Sequence, residues 1–342
     1  MKNVFGIIFA NYTAGDFGEL LTRRTIASLP FASRYRLVDF PLSNMVNSGI
    51  QTVGLIMPSV YRSLIDHVGS GKEWGLDRKT GGLFILPGTV FSSKGNRQKF
   101  TLSDLLVNQR YIVRRKHSTD ALITCASKIY NIDFTDLIEQ HRAEDRTVTF
   151  AYYKAPDGEL KSLDCFIVKH NVLIDIIDSY STYSHLDLVE LLQKEIPQEE
   201  IGTYIFGGKV ESIDCLADYV RASFDLLDSD RHKELFRGER RVFTKVQDEP
   251  PTRYGDHASA KNSLVPAGCK IDGKVENSIL FRNVTVEEGA VLKNCIIFQH
   301  CVIRSGAVLE NVILDKYVDV GKGVKLQGGV DKPLIIGKNQ EL

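Results

Sequence analysis

The stretch FANYTAGDFGELLTRRTIASLPFASRYRLVDFPLSN, Phe9 to Asn44, begins on the last residue of an apolar run, Val4 to Phe9. A run of that length, rich in β-formers and without polar alternation, predicts the first buried strand of a parallel-sheet α/β enzyme. The loop after such a strand is where phosphates are usually held, so a phosphate cradle is expected directly after Phe9.

Outward from this stretch, the 342 residues exceed what one ordinary domain needs, and two domains are expected. The 43 basic and 43 acidic residues cancel, which removes the usual electrostatic reason for nucleic acid or an anionic membrane to be the partner. Apolar residues at 43% and charged residues at 25% are those of a globular chain, and no apolar run approaches the roughly 20 residues of a membrane span. Met1, Lys2 and Asn3 lead straight into the strand-like run, without a signal segment, so a cytoplasmic location is expected. Six cysteines, Cys125, Cys165, Cys215, Cys269, Cys295 and Cys301, lie in apolar segments without metal-ligand spacing and read as buried reduced thiols.

As far as residue 237, strand-like runs alternate with amphipathic stretches. Val4 to Phe9, Thr52 to Met57, Ala121 to Cys125, Thr147 to Tyr153 and Cys165 to Val168 read as strands. Phe40 to Asn47, Tyr61 to Val68, Leu102 to Val113, Phe134 to Ala143, Leu186 to Lys194 and Leu216 to Leu227 read as helices. The alternation implies crossover units and a mostly parallel sheet. Thr135 or Asp133 is available to cap the helix carrying His141, and neither His141 nor His67 is assigned a catalytic role. Residues 238–261, with Pro250 and Pro251 among charges, read as a linker.

Residues 262–342 carry a repeat. Gly289, Gly306 and Gly323 are 17 apart, as are Asn277, Asn294 and Asn311, and small apolar residues recur at intervals of roughly six. That is hexapeptide spacing, three short strands per turn of a parallel β-helix, with Asn and Gly at corners that need positive φ.

The segment Pro30 to Ile50 closely resembles Pro-Phe-Gly-Gly-Lys-Tyr-Arg-Leu-Ile-Asp-Phe-Pro-Leu-Ser-Asn-Cys-x-Asn-Ser-Gly-Ile of bacterial ADP-glucose pyrophosphorylases, the glucose-1-phosphate adenylyltransferases. The resemblance implies a Rossmann-like nucleotidyltransferase domain with a mostly parallel mixed sheet, followed by a β-helix of left-handed type. It also allows each part of the adenylyl-transfer machinery to be sought.

Counted back from Pro30, the family's nucleotide loop Gly-Gly-Arg-Gly-Thr-Arg-Leu falls on Asn11 to Phe17. Glycines let backbone amides approach a polyphosphate, and arginine neutralises it. Here Tyr12 and Ala14 add side chains, Thr13 replaces one arginine and Asp16 the other. A like charge at about 4 Å costs roughly 1 kcal/mol in water and several times that when partly buried. The family's lysine one turn later matches Ile26. One metal-binding aspartate of the family, fixed by Ile129 to Phe134, matches Ser127, with Lys128 beside it. The second, in Trp-Arg-Asp-Val-Gly-Thr, matches Ser212, although a slip of one or two residues brings Glu211 or Asp214 there.

Ser162 matches the sugar-contacting serine, whereas the Glu-Lys-Pro loop whose lysine binds the sugar phosphate has no counterpart between Phe150 and Ser162. The lysine that contacts anionic activators in the family matches Arg34, near Arg24 and Arg36 in sequence, and a surface or subunit salt bridge is an equal role for it.

Within this family the chain resembles the GlgD-type subunit over nearly its whole length. That resemblance implies a chain with no metal or other cofactor of its own, magnesium being expected only in a homologous catalytic subunit. It implies further a heterotetramer with that subunit and a sugar-phosphate effector. The rival within the family is an active sugar-phosphate nucleotidyltransferase with a relocated metal site built from Glu211, Asp214 and Asp16. Outside it stand a hexapeptide acyltransferase with His300 as base, and a scaffold or sensor without a catalytic partner.

Overall fold

The computed structural model describes residues 3–10, 15–57, 60–89, 99–183, 185–236 and 238–342. The loop positions Asn11, Tyr12, Thr13 and Ala14 lie outside the described residues. Among the described residues, seven strands form the central sheet, in the order Ile201–Phe206, Val148–Lys154, Leu160–Lys169, Asp120–Cys125, Val4–Phe9, Thr52–Met57 and Gly82–Pro87. Val4–Phe9 is buried along its whole length and pairs in parallel with Thr52–Met57 on one side and Asp120–Cys125 on the other. Burial on both faces is what an unalternated apolar strand requires. Leu160–Lys169 runs antiparallel to both neighbours, so the sheet is mixed.

One expectation shifts in detail, and one open choice is settled. The helix expected over Leu102 to Val113 is two, Leu102–Val107 and Gln109–Val113, broken at Asn108, whose amide donates to the carbonyls of Pro87 and Asp104. Of the two candidate caps, Asp133 performs the task, accepting from the Thr135 N–H at 2.9 Å. The sequence reading passed over the strands Gly82–Pro87 and Ile201–Phe206 and the helix His170–Ser179.

The C-terminal region winds through three parallel sheets, two of five strands and one of four, which form the faces of a parallel β-helix. Its first coil begins earlier than expected. Arg253–Tyr254 and Ser259–Lys261, placed in the linker by their charges and neighbouring prolines, already pair with Lys270–Ile271 and Lys274–Glu276. Both prolines precede the first of these strands, so they stop the connection rather than the coil. Residues 240–245 of the linker are bound to the first domain, while Gln247 and Glu249 accept from Arg282 and Asn283 of the β-helix. Val242 is buried, Phe243 N–H donates to Ser43 Oγ at 2.8 Å, and Asn131 and Asn47 each donate at 2.9 Å to the carbonyls of Arg240 and Arg241.

The repeat has a physical cause at its corners. Asn262, Asn277, Asn294 and Asn311 all adopt φ between 44° and 54°, and each amide donates to the next asparagine at 2.7–3.1 Å, the last to the Gly328 carbonyl. Asparagine is the side-chain-bearing residue that best tolerates this backbone, and stacking the coils pairs its amide as well. Asn294→Ala loses both the tolerated dihedral and two ladder bonds, so a destabilisation of about 2 kcal/mol is expected in urea unfolding. Asn294→Gly should recover part of it, because it restores the dihedral alone.

One face of the β-helix shares a core with the first domain. Ile279, Phe281, Ile296, Phe298 and Ile313 pack in one buried cluster with Phe17, Leu20, Ile26, Leu29 and Phe31. Beside it the Arg24 guanidinium, 5% exposed, donates to both carboxylate oxygens of Asp315 at 2.6 and 2.8 Å and lies 5.6 Å from the Phe298 ring centre.

Candidate functional site

The carboxyl ends of Val4–Phe9 and Asp120–Cys125, where an open α/β sheet holds its ligand, lead to Ser127 and Lys128. Lys128–Ile129 pairs antiparallel with Glu211–Ser212, Ser212 opposite Lys128, and the Ile213 N–H donates to the Ser127 carbonyl at 2.9 Å. The fold therefore brings Ser127 and Ser212 to one place, although 85 residues separate them in sequence. Neither hydroxyl stands free. Ser127 Oγ, buried, lies 3.2 Å from Cys125 Sγ, and Ser212 Oγ donates to Asp214 Oδ2 at 2.5 Å.

Two ammonium groups occupy the ground beside them. Lys128 Nζ, 7% exposed, lies 3.2 Å from Asp164 Oδ2, donates to the Ser162 carbonyl and sits 5.4 Å over the Tyr153 ring. Lys99 Nζ is 2.5 Å from the same Asp164 oxygen and 3.5 Å from Asp214 Oδ1. Burial opposes the charge on Lys99, but Asp164, Cys125 and Asp214 more than offset it and hold its pKa above the ordinary lysine value. Asp164 reaches this position through a bulge: its φ is +50°, the register with the neighbouring strand shifts between Ala151 and Tyr152, and its N–H donates to Ser162 Oγ at 3.0 Å. Sequence reading saw Lys128 but neither Lys99 nor Asp164, because only the bulge and the crossover bring them together.

Of the other predicted positions, Asp16 and Asp214 lie on neighbouring backbone, but their carboxylates are engaged locally. Asp16 is exposed, and its carboxylate accepts the Gly18 N–H at 2.7 Å, while the adjacent Gly15 N–H donates to the Asp214 carbonyl at 2.7 Å. Ile26, at 1% exposure, belongs to the interdomain core. Glu211 is engaged by Lys209 at 3.4 Å and Arg221 at 3.2 Å. Among the described residues, the one grouping of three side chains able to ligate a metal is His257, Asp272 and Glu288 on the β-helix, and it includes none of Glu211, Asp214 and Asp16.

A divalent cation in this cleft needs oxygen ligands carrying negative charge. Hydroxyls at Ser127 and Ser212, and an Asp164 carboxylate already neutralised by two lysines, do not fit it. His300, the base of the acyltransferase alternative, sits at a coil corner with φ 63° and stacks on Tyr317 with ring centres 4.8 Å apart.

A second cavity, about 800 Å³, opens between the domains. Arg23, Arg34, Arg36 and Arg62 line it from the first domain, Lys245 from the linker, and Arg282, Lys316 and Lys338 from the β-helix, against one carboxylate among the described lining residues, Asp66. Arg34 is held out by a turn in which Ala32 and Ser33 take φ of 49° and 60°. Arg24 does not join it, contrary to its nearness in sequence, because its guanidinium is committed to Asp315. Arg36 donates to Ser63 Oγ at 3.0 Å, and burial, aided by Arg24 and opposed by Asp39, pulls its pKa down to about 10. The cations from the β-helix and the linker had no signal in the sequence, since their meeting depends on how the two domains dock.

A sequence model of the nucleotidyl transferase family matches residues 21–159, and one described as GlmU-like, C-terminal hexapeptide matches residues 249–333. The chain is 38% identical over 341 residues to the glycogen biosynthesis protein GlgD of Bacillus subtilis, covering 98% of this chain and 96% of that one. The chain belongs to the GlgD family. A second GlgD, from Geobacillus stearothermophilus, is 37% identical over 291 residues, covering 85% of this chain and 83% of its own. A glucose-1-phosphate adenylyltransferase of Clostridium perfringens is 27% identical over 324 residues, covering 85% and 83%. The chain is thus a nucleotidyltransferase-related protein of glycogen biosynthesis, with a hexapeptide-repeat domain of the left-handed β-helix type. In this GlgD-family chain the nucleotidyl transferase match begins at residue 21, beyond the loop after the first strand. No helix among the described residues is long and apolar enough to cross a membrane.

Proposed function

We propose that this chain is a catalytically silent, regulatory subunit that assembles in the cytoplasm with a homologous glucose-1-phosphate adenylyltransferase, as a heterotetramer, and alters its rate and effector response. The observation that carries the reading is the Lys99–Asp164–Lys128 cluster beside Ser127 and Ser212. Adenylyl transfer from ATP to glucose 1-phosphate needs a metal to neutralise the triphosphate and orient the α-phosphorus. Neutral hydroxyls at Ser127 and Ser212, with Asp164 held by Lys99 and Lys128 and Asp214 held by Lys99 and Ser212, do not suit such a metal, so on this reading the chain itself uses no magnesium. Ser162, an exposed residue whose hydroxyl accepts the Asp164 N–H at the bulge, remains the position to contact a sugar if one enters.

Regulation is assigned to the interdomain cavity. Its cations from both domains and the linker form a site for an anion of the sugar-phosphate class, with Arg34 at its rim. The test is to assay ADP-glucose formation by this chain alone, by a catalytic homologue alone, and by the two co-expressed. Co-expression is expected to change both the rate and the activator concentration for half effect, and Arg34→Ala to raise that concentration roughly tenfold by removing a charge-assisted contact. Unchanged rate and unchanged activator dependence on mixing would sink the proposal.

A further inference from the structure

The cavity between the domains treats its cations unequally. Arginines keep their charge at any relevant pH, whereas a lysine surrounded by like charge and withdrawn from water sheds its proton. Lys316 is the lysine so placed. It is half-buried on the β-helix face that meets the first domain, and among the described residues no carboxylate pairs with it. Its own neighbour Asp315 is committed to Arg24 by two hydrogen bonds and also accepts the Lys316 backbone N–H at 2.7 Å.

The groups facing Lys316 are mostly cationic or neutral. Arg24 and Arg36 approach from the first domain and Lys338 from the last turn of the chain, with Asp315 the opposing charge. His67, on the helix Arg62–Val68, is held by Asp39 at 2.5 Å, and His300 is stacked on Tyr317. Burial keeps both histidines below their ordinary value, so both are neutral in mildly alkaline solution. Lys245 is tied to the Asp66 carbonyl at 2.6 Å, and Lys338 lies 5.4 Å over the Tyr317 ring.

We infer that a tetrahedral oxyanion of the phosphate class entering this cavity takes up a proton on Lys316, so that affinity for the anion falls as pH rises past neutrality. The inference rests on the cavity being the effector site proposed above. Desolvation, with Arg36 and Arg24 adding to it, brings the Lys316 pKa down to about 7 in the free protein. An anion close to the ammonium restores the charged form. The sign follows: below the free value Lys316 is charged with or without ligand, and no proton moves. Above it the free amine is neutral and the bound one charged, so binding consumes about one proton and weakens by up to about tenfold per pH unit. The cavity would therefore sense anion concentration and acidity together.

Calorimetric titration of the full-length protein with sodium sulfate tests this, because sulfate has no proton to exchange near neutrality. Measured at pH 8 in Tris and in HEPES, whose ionisation heats differ, the wild type should take up about one proton per sulfate, and near none at pH 6. Lys316→Arg should bind sulfate at pH 8 at least as tightly, with the uptake lost. Lys316→Met should bind more weakly and with little dependence on pH. Lysine side-chain carbon NMR gives a second reading in the unaltered protein: a resonance titrating near neutrality, lost in both variants and displaced to higher pH by sulfate. Uptake that persists in Lys316→Arg, or binding without uptake in the wild type, overturns the inference while leaving the effector site standing. Failure of both sulfate and inorganic phosphate to bind at all overturns the effector site, and this inference with it.

Discussion

Incubated alone with ATP, magnesium and glucose 1-phosphate, the purified chain should form ADP-glucose at least about 10³-fold more slowly than a catalytic relative does under the same conditions. Metal-held charge stabilisation is worth several kcal/mol, and each 1.4 kcal/mol is about a factor of ten. Restoring carboxylates should not by itself restore the metal. In Ser127→Asp/Ser212→Asp the new acids would meet Lys128 and Lys99 at close range and form further ion pairs, so manganese binding followed by electron paramagnetic resonance should stay weak. Adding Lys128→Met removes the competing cation, and the triple variant should bind manganese measurably more tightly than the double. Tight binding in the double variant would mean that the lysines do not guard the cleft. Turnover by the unaltered chain at a rate near the relative's would overturn the proposed silence.

The second large effect concerns the join between the domains. Asp315→Ala leaves the Arg24 guanidinium buried at 5% exposure with its carboxylate gone, and a loss of about 3–5 kcal/mol is expected in urea unfolding. Replacing both partners, Arg24→Met with Asp315→Leu, should recover more than half of that loss, because the cost lies mainly in the uncompensated charge. If the double variant is no better than Asp315→Ala, the pair contributes through geometry that apolar contacts cannot replace. Limited proteolysis at 238–252 provides an independent readout, since that connection is held at 240–245 by the first domain and at 247–252 by the β-helix, and should be cut sooner once the join loosens.

Much of the fold was open to sequence reading because its signals are local. Val4–Phe9 is apolar throughout, and the helix starting at Phe134 carries its own cap at Asp133. The coil corners advertise themselves through asparagines and glycines that tolerate positive φ. The break at Asn108 was not visible, because the two carbonyls that bind its amide come from a neighbouring strand and from the preceding turn. The start of the β-helix was hidden by the charged composition of Arg253–Tyr254, which lies at the exposed end of its sheet.

The candidate site was legible only in part, for a related reason. A departure from a motif can be read by counting along it, as at Ser127, but what surrounds that position in the fold cannot. Lys99 and Asp164 are brought together by long-range pairing and by one bulge, and nothing in either segment announces the other. Arg34 was found from its motif. Lys316 was not, because its chemistry arises from the company it keeps across the domain boundary.

The asparagine ladder sets a rule for how this domain tolerates insertions and deletions. The first rung spans 15 residues and the later ones 17, and all are bonded, so a length change inside a coil is tolerated only where the rest of that coil absorbs it and leaves the asparagines stacked. The longer loop at 328–333 follows directly after the point where Asn311 donates to the Gly328 carbonyl and the amide stack ends. Beyond that last rung the chain is free to lengthen without disturbing what precedes it.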